Sequence, residues 1–185
     1  VGIQGREIEA EDRKDAVLTF VIDVSGSMRA GNRLGLVKQA MNLLLSQLNG
    51  NDRVGIVAYG SHARVVLQPT PANHTREIMN AVHSLHAGGS TFAEAGLKLG
   101  YQMANQQHDR HRLNRVILCS DGVANVGQVS PDAIMADISE FARKGITLST
   151  FGFGMGNYND VLLEQLATQG AGRYAYVNDR AEAER

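Results

Sequence analysis

The sequence predicts an α/β domain with a doubly wound, mostly parallel central sheet, helices on both faces and one antiparallel edge strand. The first observation behind this prediction is the order of segments, because runs typical of buried strands alternate with runs of helical periodicity. The second is that residues 17–24 and 115–120 are nearly continuous apolar runs, as expected of central strands covered on both faces. The third is size, since 185 residues, 43% of them hydrophobic, suit one domain with a sizeable core.

The strands are predicted from apolar runs bounded by turn residues. Residues 54–59 and 63–67 are separated only by Gly60-Ser61-His62, so we expect a hairpin whose second strand is the antiparallel edge. Residues 1–8 give the weakest pattern and are expected to form an edge strand. The complete set of predicted strands is, in chain order, 1–8, 17–24, 54–59, 63–67, 115–120, 146–151 and 174–177.

The helices are predicted from apolar residues that recur three and four positions apart, most clearly in residues 33–48. Pro131 follows Ser130, a residue type that caps helix starts, and Gly145 suits the left-handed position after a last turn. The predicted helices cover 33–48, 75–85, 92–107, 131–144 and 159–168, and 179–185 has the pattern of a truncated helix. Because the chain begins at Val1 without a Met or a signal peptide, we interpret residues 1–185 as a single domain cut from a longer protein.

Composition argues against two classes of function. The formal net charge is -1, whereas duplex binding relies on Lys and Arg to neutralise phosphates, so we expect no nucleic-acid partner. No apolar run reaches the length of about 18 residues that a membrane-spanning helix needs. Cys119 is the single cysteine, so no internal disulfide can form, and its apolar neighbours indicate a small core residue.

The chemistry of the chain is concentrated where the first central strand ends. Asp23, Ser25 and Ser27 follow the spacing DxSxS and place one carboxylate and two hydroxyls at the C-terminal tip of that strand. Oxygen ligands without a soft donor suit a hard divalent cation, Mg2+ rather than Zn2+. Gly26 lets this loop turn tightly and approach an ion with its backbone.

A second predicted strand also ends in an acid, because Asp121 follows residues 115–120. In open parallel sheets, ligands bind beyond the carboxyl ends of the strands, where the strand order reverses. If the two strands are neighbours, Asp23 and Asp121 face each other there and repel unless a cation lies between them. Thr91 in the glycine-rich loop before the third helix offers a further hydroxyl, and the alternative is that Ser90 or Thr91 only caps that helix.

Three segments, taken in this order, resemble the metal-ion-dependent adhesion site of the von Willebrand factor type A domain. They are Asp23-Val24-Ser25-Gly26-Ser27-Met28, Gly89-Ser90-Thr91 and Ser120-Asp121-Gly122. The resemblance covers nearly the whole chain and implies that family's Rossmann-like fold. It implies, residue by residue, the metal ligands Asp23, Ser25, Ser27, Thr91 and Asp121.

The resemblance also implies what such a site does. The ion is expected to be Mg2+, with Mn2+ or Ca2+ as alternatives, and to keep an open coordination position for an Asp or Glu side chain of a protein partner. Further segments, such as Asp52-Arg53-Val54 and Gly152-Phe153-Gly154, look most like bacterial members. Those members imply an extracytoplasmic or cell-surface location in a bacterium.

The function expected from these residues is metal-dependent recognition or adhesion, and not catalysis. One alternative is a scaffold domain in which the metal only stabilises the fold. Another is a Mg2+-dependent phosphotransferase of the haloacid dehalogenase type, which also uses an Asp at a strand end. Such enzymes need a second Asp two positions later, where this chain has Ser25, and a phosphate-binding Lys for which the sequence offers no convincing candidate.

Overall fold

The computed structural model describes residues 13–122, 131–154 and 160–177, with backbone only for 131–133 and 160. These described residues form six strands in one sheet. The strands are, in chain order, β1 (Ala16–Asp23), β2 (Arg53–Tyr59), β3 (Ala63–Pro71), β4 (Leu113–Ser120), β5 (Ile146–Phe153) and β6 (Ala171–Val177). The spatial order is β3-β2-β1-β4-β5-β6. The β2–β3 pair is antiparallel, and every other neighbouring pair is parallel.

Helices cover both faces of this sheet. They are α1 (Arg33–Leu45), α2 (Thr75–His83), α3 (Ala93–Gln106), α4 (Pro131–Arg143) and α5 (Asp160–Gln169). Strand β1 serves both layers, because Phe20 and Ile22 pack with α1 and α2 whereas Val21 packs with α3, α4 and α5. No helix in the described ranges is both long enough and apolar enough to cross a bilayer.

The predicted fold class is therefore confirmed. β1 lies near the middle of the sheet, and the chain builds outward from it to β3 on one side and then through β4 to β6 on the other. All predicted strands and helices between residues 17 and 177 are present, and the predicted hairpin is the antiparallel β2–β3 pair. The left-handed φ of +89° at Gly145 agrees with its predicted place after α4. The predicted strand 1–8, the cap at Ser130 and the helix start at 179–185 lie outside the described residues.

Three element bounds were predicted wrongly by three residues or more. Strand β6 begins at Ala171 and not at residue 174, because its exposed and half-buried residues alternate and give no apolar run. Helix α1 ends at Leu45 and not at residue 48, because the amides of Ser46 and Gln47 bond to carbonyls three residues back, as in a tighter final turn. Leu48 still packs against the core, which is why the apolar pattern continued. Strand β3 extends past residue 67 to Pro71. The prediction stopped too early because most residues of this edge strand are not buried, so its sequence lacks a continuous apolar run.

Candidate metal centre

The site predicted from the sequence lies at the carboxyl ends of β1 and β4, an edge of the sheet that we call the β1–β4 rim. The two strands are parallel neighbours in which Ile22 pairs with Cys119, so Asp23 and Ser120 follow at the same edge of the sheet. Asp121 comes directly after β4. This is also where the strand order reverses, because from β1 the chain goes first towards β2 and later towards β4.

Asp23 is a buried carboxylate that organises its own loop. Its Oδ1 accepts a hydrogen bond from the Ser25 amide at 2.8 Å, and its Oδ2 accepts one from the Ser120 hydroxyl at 3.2 Å. Burial raises the pKa of Asp23, hydrogen bonds from Ser25 oppose this rise, and the nearby charge of Asp121 adds to it. The parallel pairing of β1 and β4 brings both acids to the same edge of the sheet.

The two serines of the DxSxS segment lie side by side. The Oγ atoms of Ser25 and Ser27 are 3.0 Å apart, with Ser25 buried and Ser27 half-buried. The loop continues into short 3-10 turns over Gly26–Asn32, interrupted at Ala30 and Gly31, which the sequence did not predict. The Met28 amide bonds to the Ser25 carbonyl at 3.1 Å, and the fully buried Met28 side chain anchors the turn in the core.

The loop that carries Thr91 is fastened to the DxSxS loop through backbone hydrogen bonds. The Gly26 amide donates to the Gly89 carbonyl at 3.0 Å, and the Gly88 amide donates to the Val24 carbonyl at 2.8 Å. Thr91 is half-buried and follows Gly89 by two residues. It is not the cap of α3, since Phe92 holds the N-cap position and makes no side-chain capping bond.

Two further residues of this rim were missed by sequence reasoning. Arg33, the first residue of α1, donates from Nη1 to Asp121 Oδ2 at 2.8 Å and to the Ser27 carbonyl at 3.4 Å. Tyr59, the last residue of β2, is fully buried, and burial followed by the charge of Asp23 raises the pKa of its phenol well above the ordinary value. Nothing in the spacing of either residue signals this placement. The Arg33–Asp121 pair and the position of Tyr59 opposite Asp23 in the paired strands both depend on the strand order.

The donor set of the rim suits a hard cation in its chemistry. Two carboxylates and neighbouring hydroxyls are the oxygen ligands that Mg2+ prefers. Among the residues with described side chains, no three or more His, Cys, Asp and Glu residues come together as a metal-binding group. The proposed site has two carboxylates and otherwise only hydroxyls, so it is not such a group. Metal binding by Asp23, Ser25, Ser27, Thr91 and Asp121 therefore stays a prediction.

Fold and rim together define the class: a doubly wound α/β domain with an acidic, hydroxyl-rich edge at the reversal of strand order. The family model of the von Willebrand factor type A domain matches residues 18–184, so the chain belongs to this family. It is 37% identical over 185 residues to YfbK of Escherichia coli K12, described as an uncharacterized protein. The match covers 100% of this chain but only 32% of YfbK, about a third of that protein's length.

Solved structures agree on the fold. A von Willebrand factor type A structure from Catenulispora acidiphila has a TM-score of 0.76 at 21% identity, covering 94% of this chain and 41% of that one. The pilus adhesin SpaC from Lactobacillus rhamnosus GG has a TM-score of 0.72 at 16% identity, covering 92% of this chain and 29% of that one. At such identities the likeness establishes architecture alone.

Proposed function

We propose that this chain is a protein-recognition domain that binds an Asp or Glu side chain of a partner through a divalent cation held at the β1–β4 rim. The observation that carries the proposal is the convergence of two carboxylates and two hydroxyls at the ends of neighbouring strands. These groups belong to Asp23, Asp121, Ser25 and Ser27. Membership of the von Willebrand factor type A family supports the same function.

The predicted ligands would have two roles, since some stabilise the loop and others coordinate the ion. Asp23, fixed by the Ser25 amide and the Ser120 hydroxyl, holds the loop against the end of β4. Ser25, Ser27 and Thr91 would contribute neutral oxygens, which leave more of the ion's charge for a partner. Mg2+, when bound, supplies an electrophilic coordination position that a carboxylate can fill. Mn2+ and Ca2+ are the alternative ions.

The partner and the setting of the domain are part of the proposal. A net charge of -1 gives no general attraction for nucleic acid, so the proposed partner is a protein that presents an acidic side chain. SpaC, whose fold this chain shares, is a pilus adhesin. That likeness supports a location outside the cytoplasm or at the surface of a bacterial cell.

Thermal unfolding tests whether the proposed cation binds. A ligand at a hundredfold excess over its Kd stabilises the folded state by about 2.7 kcal/mol, which raises Tm by roughly 5–10 °C in a domain of this size. We expect such a rise for the wild-type chain in Mg2+ relative to chelator. Asp23→Ala should abolish the rise, whereas Asp137→Ala, which removes an exposed acid on α4, should keep it. Equal Tm values in Mg2+ and chelator for the wild type would contradict the proposal.

The scaffold alternative is separated by asking whether partner binding needs the metal. Capture of a partner that is equally strong in Mg2+ and in chelator would favour a scaffold, and capture that chelator abolishes would favour metal-mediated recognition. We do not propose catalysis. Hydrolysis of a generic aryl phosphate that Asp23→Asn removes would argue for the phosphotransferase instead.

A further inference from the structure

We propose that Arg33 is a built-in cation of the rim, which neutralises Asp121 in the absence of a divalent ion and opposes the binding of that ion. Arg33 would then set how tightly the site takes up metal. The inference rests on the proposed function in one respect, because it takes the divalent ion from there. The Arg33 contacts themselves do not depend on it.

Arg33 forms a direct ion pair with Asp121. Arg33 Nη1 lies 2.8 Å from Asp121 Oδ2, and the Asp121 side chain has no solvent exposure. The same nitrogen donates to the Ser27 carbonyl at 3.4 Å. One guanidinium thus touches two of the five residues predicted as metal ligands, although Arg33 and Asp121 are 88 positions apart in the chain.

The Arg33 side chain is held beside Asp121 by its surroundings. Its side chain is only 15% exposed and begins on the first residue of α1. Gly154, just after β5, has a φ of +106°, and a Cβ built there would overlap Arg33 Nε and lie 2.8 Å from its Cδ. A glycine at residue 154 therefore leaves the space that the guanidinium side chain fills.

Asp23 and Asp121 differ in the charge of the groups that contact them. The hydrogen bonds to Asp23 come from neutral groups, the Ser25 amide and the Ser120 hydroxyl. Asp121 instead faces a full positive charge at 2.8 Å. A divalent cation that binds Asp121 meets this charge at short range, where Coulomb repulsion in a partly buried site is strong. Removing the charge should therefore tighten metal binding and, without metal, cost Asp121 its ion pair with Arg33.

Titration calorimetry with Mg2+ and Mn2+, run on the whole chain, tests the proposal. We expect Arg33→Gln to bind each ion about tenfold more tightly than wild type, within the range typical of couplings between two sites. We also expect a lower Tm than wild type in chelator, and a larger rise in Tm on adding Mg2+. The matched control is Arg29→Gln, which removes the same charge from an exposed side chain whose contact is the Ala87 carbonyl. It should behave like wild type in both measurements.

Arg33→Lys is a second test, should Arg33→Gln fail to fold by circular dichroism. It keeps the positive charge, so its affinity for Mg2+ should stay close to wild type, and a tenfold tighter site would contradict a role for charge. If wild type binds Mg2+ and Arg33→Gln binds it no more tightly, the proposed role of Arg33 is overturned, whereas the proposed function is not. Binding by Arg33→Gln but not by wild type supports that role and contradicts the proposed function. Absence of binding in both overturns both proposals.

Discussion

At the scale of single residues, Asp52 shows how one buried acid fixes a chain segment far from the metal rim. Its fully buried carboxylate accepts hydrogen bonds from the Ala16 amide at 2.6 Å and the Asn49 amide at 2.7 Å. It also pairs with Arg13 at 2.5 Å. Asp52 thereby ties the start of β1 to the turn that precedes β2.

Replacing Asp52 should destabilise the domain strongly. Asp52→Ala leaves the Ala16 and Asn49 amides without their acceptor, and each unsatisfied buried donor costs about 1–3 kcal/mol. The Arg13 guanidinium is 34% exposed, so water can replace its lost partner and the ion pair adds little to this cost. Urea unfolding at neutral pH measures the free energy of unfolding. Glu140→Ala is the control, because Glu140 pairs with Lys144 on an exposed helix face, where water and salt screen the pair and its loss should change stability little. Equal losses for the two variants would contradict this account of Asp52.

Cys119 leads to a prediction about pH and reactivity. The thiol is buried in β4, and burial raises its pKa to about 12. Because the thiolate is the reactive form, and a raised pKa keeps the thiol protonated up to high pH, folded protein at pH 8 should resist iodoacetamide. Protein in urea should react readily, as followed by mass spectrometry. Rapid alkylation of the folded chain would contradict the predicted core position.

At the scale of elements, α3 lies close to the sheet because it presents glycine to it. A Cβ on Gly96 would lie 2.6 Å from Tyr59 Cδ1, well inside normal contact distance. Tyr59, the last residue of β2, is fully buried next to the rim. The approach of α3 to β2 is therefore set by a missing side chain.

Gly96→Ala should lower stability even though alanine favours helix. Overpacking a well-filled core costs about 1–3 kcal/mol, against a gain of about 1 kcal/mol in helix propensity. Lys98→Ala on the exposed face of the same helix should change the free energy of unfolding by less than about 0.5 kcal/mol. Thermal and urea unfolding of both variants check this, and a Gly96→Ala protein more stable than wild type would show that α3 has room to move.

At the scale of the whole molecule, the sequence predicted what depends on local pattern. Hydropathy alone marked β1 and β4 as buried, and the acids at their ends pointed to one rim, which the β1–β4 pairing provides. The Arg33–Asp121 pair was not predictable in this way. It joins the start of α1 to the end of β4 across 88 positions, so it depends on strand order and loop geometry.

Locating a bound ion in a crystal would show whether the β1–β4 rim holds a divalent cation. Crystals grown or soaked with Mn2+ give an anomalous signal that marks the metal without reference to any assumed ligand. We expect one strong peak within coordination distance of oxygen atoms of Ser25, Ser27 and Asp121, and we expect it to disappear in Asp23→Ala. A map with no peak at this rim, or with the ion bound elsewhere on the domain, would contradict it.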